Sequence, residues 1–120
     1  MAVQTGEQLR SKRCGACEGE AARLSETQAR EMLQSLEGWE MGDDGRHIRK
    51  RWKMEDFAAG LDFIRHVGDL AEQEGHHPDV HLTGYRHVTV ELSTHAVGGL
   101  SENDFILAAK IDELPVAEKA

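Results

Sequence analysis

The chain has 120 residues and a mass of 13.4 kDa, the size of one domain, and its 39% hydrophobic content suffices for one modest core. Twenty-two acidic against 14 basic residues give a formal charge of -8, which repels phosphate backbones and counts against nucleic acid as a partner. No apolar run approaches the roughly 18 residues of a membrane helix, and Met1 to Lys12 lacks a signal-like apolar stretch, so a soluble, cytoplasmic protein without a membrane partner is expected.

Residues 1–22 show no hydrophobic period and carry Cys14-Gly15-Ala16-Cys17. They read as an irregular arm ahead of a domain spanning 23–120. Two cysteines are half of a four-ligand zinc site, and the chain holds no second pair. A redox reading needs a strand before and a helix after, and neither is apparent. Reduced thiols without a role are the expectation for this pair.

A first helix opens at Ser25, where Ser25 and Gln28 fit a capping box. Ala29, Met32, Leu33 and Leu36 form its apolar stripe, and Gly38 can take the left-handed conformation that stops it. Trp39 to Met41 and His47 to Lys53 flank Gly42-Asp43-Asp44-Gly45, a hairpin whose second arm alternates Ile48 and Trp52 with charged residues. The basic cluster Arg46, Arg49, Lys50, Arg51 and Lys53 fits the wet face of that strand. A second helix covers Glu55 to Glu74, with Phe57, Leu61, Ile64, Val67, Leu70 and Ala71 on one face and Gly75 ending it.

Pro78 forces an extended entry into a second hairpin, because the residue before a proline avoids helical angles. Val80 and Leu82 point one way, Thr83-Gly84 turns, and Val88, Val90 and Leu92 alternate with polar neighbours. Ser101 caps the last helix, with Asp104 at its third position and a Leu100 to Phe105 staple. That helix is apolar on more than one side, which suggests a second subunit against it. The order α-β-β-α-β-β-α, with both strand pairs as hairpins, predicts an α+β fold: a four-stranded antiparallel sheet with three helices on one face.

Seven histidines are the anomaly of this composition. Gly75 and Pro78 pin His76 and His77 at a fixed exit from the second helix, and Glu72 is placed to hydrogen-bond one ring and fix its tautomer. His95 falls at the end of the fourth strand. In an antiparallel hairpin that end lies beside the start of the third, so topology brings His95 next to His76 and His77. Three readings stand open. The rings are solvated and idle; they form a three-histidine zinc site; or they perform metal-free acid–base catalysis, for which near-neutral imidazoles suit proton transfer in both directions. Adjacent histidines rarely aim at one metal, and no His-x-x-x-His helical pair is present.

The run Glu72, three residues, His76-His77-Pro78, six residues, Tyr85, nine residues, His95, eight residues, Asp104 resembles the signature of the pterin-4a-carbinolamine dehydratase family. Arg23-Leu24-Ser25, Gly38-Trp39-Glu40, Asp56-Phe57, Leu92-Ser93-Thr94-His95 and Gly99-Leu100-Ser101-Glu102 match it too, so the resemblance covers about residues 23–114. It implies the sheet-and-helices fold just derived, assembled as a homodimer or homotetramer. It implies dehydration of a 4a-hydroxytetrahydropterin, the 4a-carbinolamine, to the quinonoid dihydropterin plus water. That step recycles the tetrahydrobiopterin-type cofactor of an aromatic amino acid hydroxylase, with no metal or organic cofactor of its own.

By position, the resemblance makes His76 and His95 the acid and base. It makes His77 a pterin-binding group that shares the catalytic cluster, and it has Glu72 orient a ring or accept from pterin N–H groups. Trp39 matches a family aromatic near the substrate, although a core tryptophan at a strand start fits equally. Asp104 belongs to the signature, yet its position reads as capping and structural, like that of Pro78; Tyr85 reads as packing after the turn. A binding module of the same fold, of the kind that stabilises a transcription factor dimer, is the alternative to an enzyme.

Overall fold

The computed structural model describes residues 23–118; the arm with Cys14 and Cys17 lies outside them. Helix α1 is Glu26–Leu33, strand β1 Glu40–Met41, β2 Ile48–Lys53, helix α2 Phe57–Glu74, β3 Asp79–Thr83, β4 His87–Leu92 and helix α3 Glu102–Ile111. A single 3-10 turn, His95–Val97, stands between β4 and α3. The strands form one sheet in the order β1-β2-β4-β3, with every neighbouring pair antiparallel. The α+β architecture read from the sequence is the one observed.

Period-two alternation explains the sheet's two faces. Ile48 and Trp52 of β2 and Val88, Val90 and Leu92 of β4 are buried, with Val80 and Leu82 of β3 packed beside them. Arg49, Arg51 and Lys53 point to solvent, so most of the basic cluster is a wet strand face. Lys50 is the exception. It lies on the covered side, where its Nζ is 3.0 Å from Asp112 Oδ1.

Local signals start the helices. Ser25 and Gln28 make the reciprocal capping box of α1, and Asp56 accepts from the Ala59 N–H to start α2 at Phe57, two residues later than expected. Helix α1 ends at Leu33, and turns carry the chain to Gly38 at φ 80°. The expected core stripe of α2 needs correction, because Phe57 and Leu61 are 50% and 48% exposed. The buried face is Gly60, Phe63, Val67 and Ala71. Gly60 allows the close approach, since a Cβ there would lie 3.2 Å from Leu82 Cδ1. Phe63 then packs against the Trp52 ring, with centroids 4.8 Å apart and planes tilted by 59°. Glycine carries no hydropathy signal, and the stripe read from the sequence was rotated away from it.

Helix α3 corrects a second expectation. Phe105, Ile106, Leu107, Ala108, Ala109 and Ile111 are all buried within one chain, so its two apolar sides do not call for another subunit. Tyr85 departs as well. It adopts φ 55° in the β3–β4 turn and stays exposed, with the Arg86 guanidinium 5.1 Å from its ring centre. It does not pack against the core.

Candidate active site

The C-terminus of α2 builds one wall of the site. Gly75 takes φ 67°, and both its N–H and that of His76 donate to the Ala71 carbonyl. This left-handed cap ends a helix sharply, and Pro78 keeps the exit extended. His76 and His77 therefore leave in different directions from neighbouring backbone positions. His76 is buried, whereas the His77 side chain is 64% exposed.

The two rings have different partners. His76 Nε2 donates to Asp104 Oδ1 at 2.6 Å. His77 Nε2 donates to Glu72 Oε2 at 2.5 Å. Glu72 thus serves His77, five residues on, rather than His76 four residues on, because the left-handed turn at Gly75 swings His76 inward. An ionised carboxylate only accepts, so each bond places a ring proton on Nε2.

Asp104 is completely buried and does two jobs. Its Oδ2 accepts from the Ser101 N–H at 3.0 Å, completing the capping box of α3, and from Thr94 Oγ1 at 2.8 Å. Thr94 Oγ1 also lies 2.7 Å from Ser101 Oγ. Its Oδ1 holds His76. The capping role expected of Asp104 is present, and the same carboxylate ties the start of α3 to the imidazole at the end of α2. Buried polar groups of this kind are tolerated only when fully hydrogen-bonded. Thr94 supplies a bond that the sequence reading had not assigned.

His95 approaches from the other side. Strand β4 ends at Leu92, so His95 belongs to the 3-10 turn rather than to the strand. The turn is held by backbone bonds between Thr94 and Gly99 and closed by Gly98 at φ 66°. His95 is exposed. A cavity of about 290 Å³ is lined by Gly75, His76, His77, Ser93, Thr94, His95 and Ala96, close to the smallest volumes typical of small-ligand pockets, about 300 Å³.

The structure brings His76, His77 and His95 to this one cavity, with Glu72 and Asp104 behind two of them. Trp39 lies elsewhere. It is buried in the core, edge-on to Trp52 at 5.9 Å, and its indole N–H donates to the Asp112 carboxylate at 3.1 Å. Among the described residues no group of three or more His, Cys, Asp or Glu side chains is arranged to hold a metal ion, and no helix is long and apolar enough to cross a membrane.

Sheet, covering helices and cavity together define a small α+β protein with acid–base groups gathered at one end of its second hairpin. The sequence model described as Pterin 4 alpha carbinolamine dehydratase matches residues 22–114. A relative named pterin-4-alpha-carbinolamine dehydratase 2, mitochondrial, from Arabidopsis thaliana is 46% identical over 113 residues. That match takes in 92% of this chain, which spans 60% of the plant protein's length. Among solved structures, a transcriptional coactivator/pterin dehydratase from Brucella melitensis superposes with TM-score 0.70 at 35% identity, over 76% of this chain and 96% of that one. A pterin dehydratase-like protein described as a RuBisCO assembly factor in the alpha-carboxysome shares the fold, with TM-score 0.52 at 24% identity over 62% of this chain and 86% of that one. The chain belongs to the pterin-4-alpha-carbinolamine dehydratase family.

Proposed function

We propose that this protein is a 4a-hydroxytetrahydropterin dehydratase, working without a metal or organic cofactor. The supporting observation is the convergence of three imidazoles on one cavity, with the inner ring held by a buried carboxylate. In the reaction the C4a–O bond breaks and N5 gives up its proton. The electron pair left on N5 closes the C4a–N5 double bond, and the hydroxyl departs as water once protonated. One group must donate a proton and another must accept one, and general acid–base catalysis contributes about 10²–10⁴-fold.

His76 and His95 are assigned to these two proton transfers, and His77 to binding the pterin while sharing the catalytic cluster. Glu72 steadies His77 and is assigned to orient that ring or accept from pterin N–H groups, and Asp104 with Thr94 positions His76. Trp39 is left with a structural role by its burial and its bond to Asp112. Pro78 sets the exit of the chain that carries His76 and His77. The substrate arises from an aromatic amino acid hydroxylase, which leaves the oxygen at C4a, and the working location is the cytoplasm. The working unit is a homodimer or homotetramer, for which the exposed Phe57 and Leu61 of α2 supply apolar contact surface.

The test supplies 4a-hydroxytetrahydropterin from a hydroxylase reaction and follows the ultraviolet change on dehydration. Acceleration over buffer in proportion to protein concentration is expected. A rate equal to that of buffer, together with stable capture of a protein partner through the Phe57–Leu61 face, would instead favour a binding module, the reading suggested by that exposed face.

A further inference from the structure

On the wet face of the sheet the charges are sorted by end. Arg49, Arg51 and Lys53 project outward from β2 at every second residue, about 7 Å apart along the strand. Glu91 and Asp79 stand in the same row as Arg49 on β4 and β3, whereas Arg51 faces Thr89 and Lys53 faces His87. The Arg86 guanidinium is fixed close by through the carbonyls of Met54 and Glu55. Desolvation and then the charges of Arg51, Lys53 and Arg86 hold the His87 imidazole below its ordinary value, so the charges acting on it are all positive.

This cluster differs from the rest of the surface. The chain carries 22 acidic residues, and its helices pair their cations with them: Arg30 with Glu26, Arg65 with Asp62 and Lys110 with Glu74. Among the described residues Arg49, Arg51 and Lys53 form no ion pair. Like charges side by side on a sheet destabilise it, and departures of this kind from local rules concentrate where a surface has work to do. The same strand borders a recess of about 400 Å³, lined by Gly38, Glu40, Arg49, Lys50, Arg51 and Thr89. Asp112 engages Lys50, which leaves two guanidiniums and a hydroxyl there against one carboxylate.

We propose that this face docks an acidic, extended segment of a protein partner, its alternate carboxylates set against Arg49, Arg51 and Lys53 and one of them seated in the recess. An extended chain repeats every two residues over the same distance of about 7 Å, so its alternate side chains keep step with those of β2. Guanidiniums take carboxylates through paired N–H donors. Nucleic acid and anionic membranes spread their charge over a wider area. They run sideways onto Glu91 and Asp79 and meet the net charge of -8. A single peptide lying along β2 does neither. The recess shares no lining residue with the histidine-lined cavity, so the inference goes beyond the dehydratase reading and does not depend on it.

The experiment follows the fluorescence anisotropy of a labelled peptide of about seven residues, Glu alternating with Thr, as the full chain is added at about 0.01 M salt, where screening is weak. Saturable binding is expected, weaker by about tenfold at 0.15 M salt. A peptide with Gln in place of Glu binds about tenfold weaker, and one of the same composition with its Glu residues contiguous about threefold weaker, the scale of a few exposed charge pairs. The Arg51→Gln/Lys53→Gln double variant loses about tenfold in affinity for the alternating peptide while keeping the wild-type far-ultraviolet circular dichroism. Absence of saturable binding, equal affinity for the Glu and Gln peptides or for the alternating and contiguous ones, or undiminished binding by the double variant overturns the proposal. Tighter binding of a short oligothymidylate than of the alternating peptide also overturns it and assigns the face to nucleic acid.

Discussion

His76 and His77 are neighbours in sequence, and the molecule treats them in opposite ways. His76 is buried against a carboxylate that is itself buried and bonded to Thr94 and Ser101. His77 is mostly exposed and pairs with an exposed Glu72. A single left-handed residue, Gly75, separates these fates by ending α2 and turning one ring inward and the other out. Buried hydrogen bonds to a carboxylate are costly to break, because they leave polar groups unsatisfied, whereas exposed ones compete with water and contribute little. The inner pair fixes orientation and the outer pair stays adjustable, a division that accords with the roles proposed above, His76 moving protons and His77 binding the pterin.

Activity gives the sharpest contrast. Replacing His76 or His95 by Ala is expected to lower the dehydration rate by about 10²–10⁴-fold, while His77→Ala raises KM more than it lowers kcat. Steady-state kinetics on the three variants checks this, and equal losses in kcat for all three would erase the division of labour.

Stability should divide along the same line. Asp104→Ala strips His76, Thr94 and the Ser101 N–H of their common acceptor, and a loss of about 3–5 kcal/mol is expected in urea unfolding. Glu72→Ala removes a solvent-exposed partner, and its cost should stay below about 1 kcal/mol. Similar losses for the two would contradict the difference drawn between inner and outer pairs.

The smallest expected effect lies outside the site, at His87. Desolvation first, then the charges of Arg51, Lys53 and Arg86, push its imidazole below the ordinary value. The folded chain therefore takes up that proton later than the unfolded chain does. Its contribution to stability is present in full above about pH 6.5 and is lost as pH falls from there through the depressed folded value. His87→Gln should flatten this part of the stability profile when unfolding is compared at pH 7.5 and pH 5.5.

Much of this was legible in the sequence because the signals were local. Ser25 with Gln28, Ser101 with Asp104, and Gly75 before His76-His77-Pro78 are short-range patterns with direct physical meanings. The hairpin topology was enough to place His95 near the other two rings. What escaped was tertiary. Asp104 read as a cap because capping is a contact three residues long, whereas its bond to His76 spans 28 positions. Glu72 lay at helical spacing from His76, but the chain leaves the helix before reaching it. Gly60 set the rotation of α2 by what it lacks, and the exposure of Phe57 and Leu61 follows from that choice. Trp39 had two readings from sequence, and its burial beside Trp52 locates the ring in the core.

The central claim is that one cavity gathers the imidazoles of His76, His77 and His95 around a bicyclic heterocycle. Its most direct test is titration of the protein with a stable dihydropterin while all seven imidazole resonances are followed by nuclear magnetic resonance. The account predicts that the signals of His76, His77 and His95 shift together with a single Kd, while those of His66 and His87 hold still. Saturable binding that leaves the His76 and His95 signals in place would contradict it.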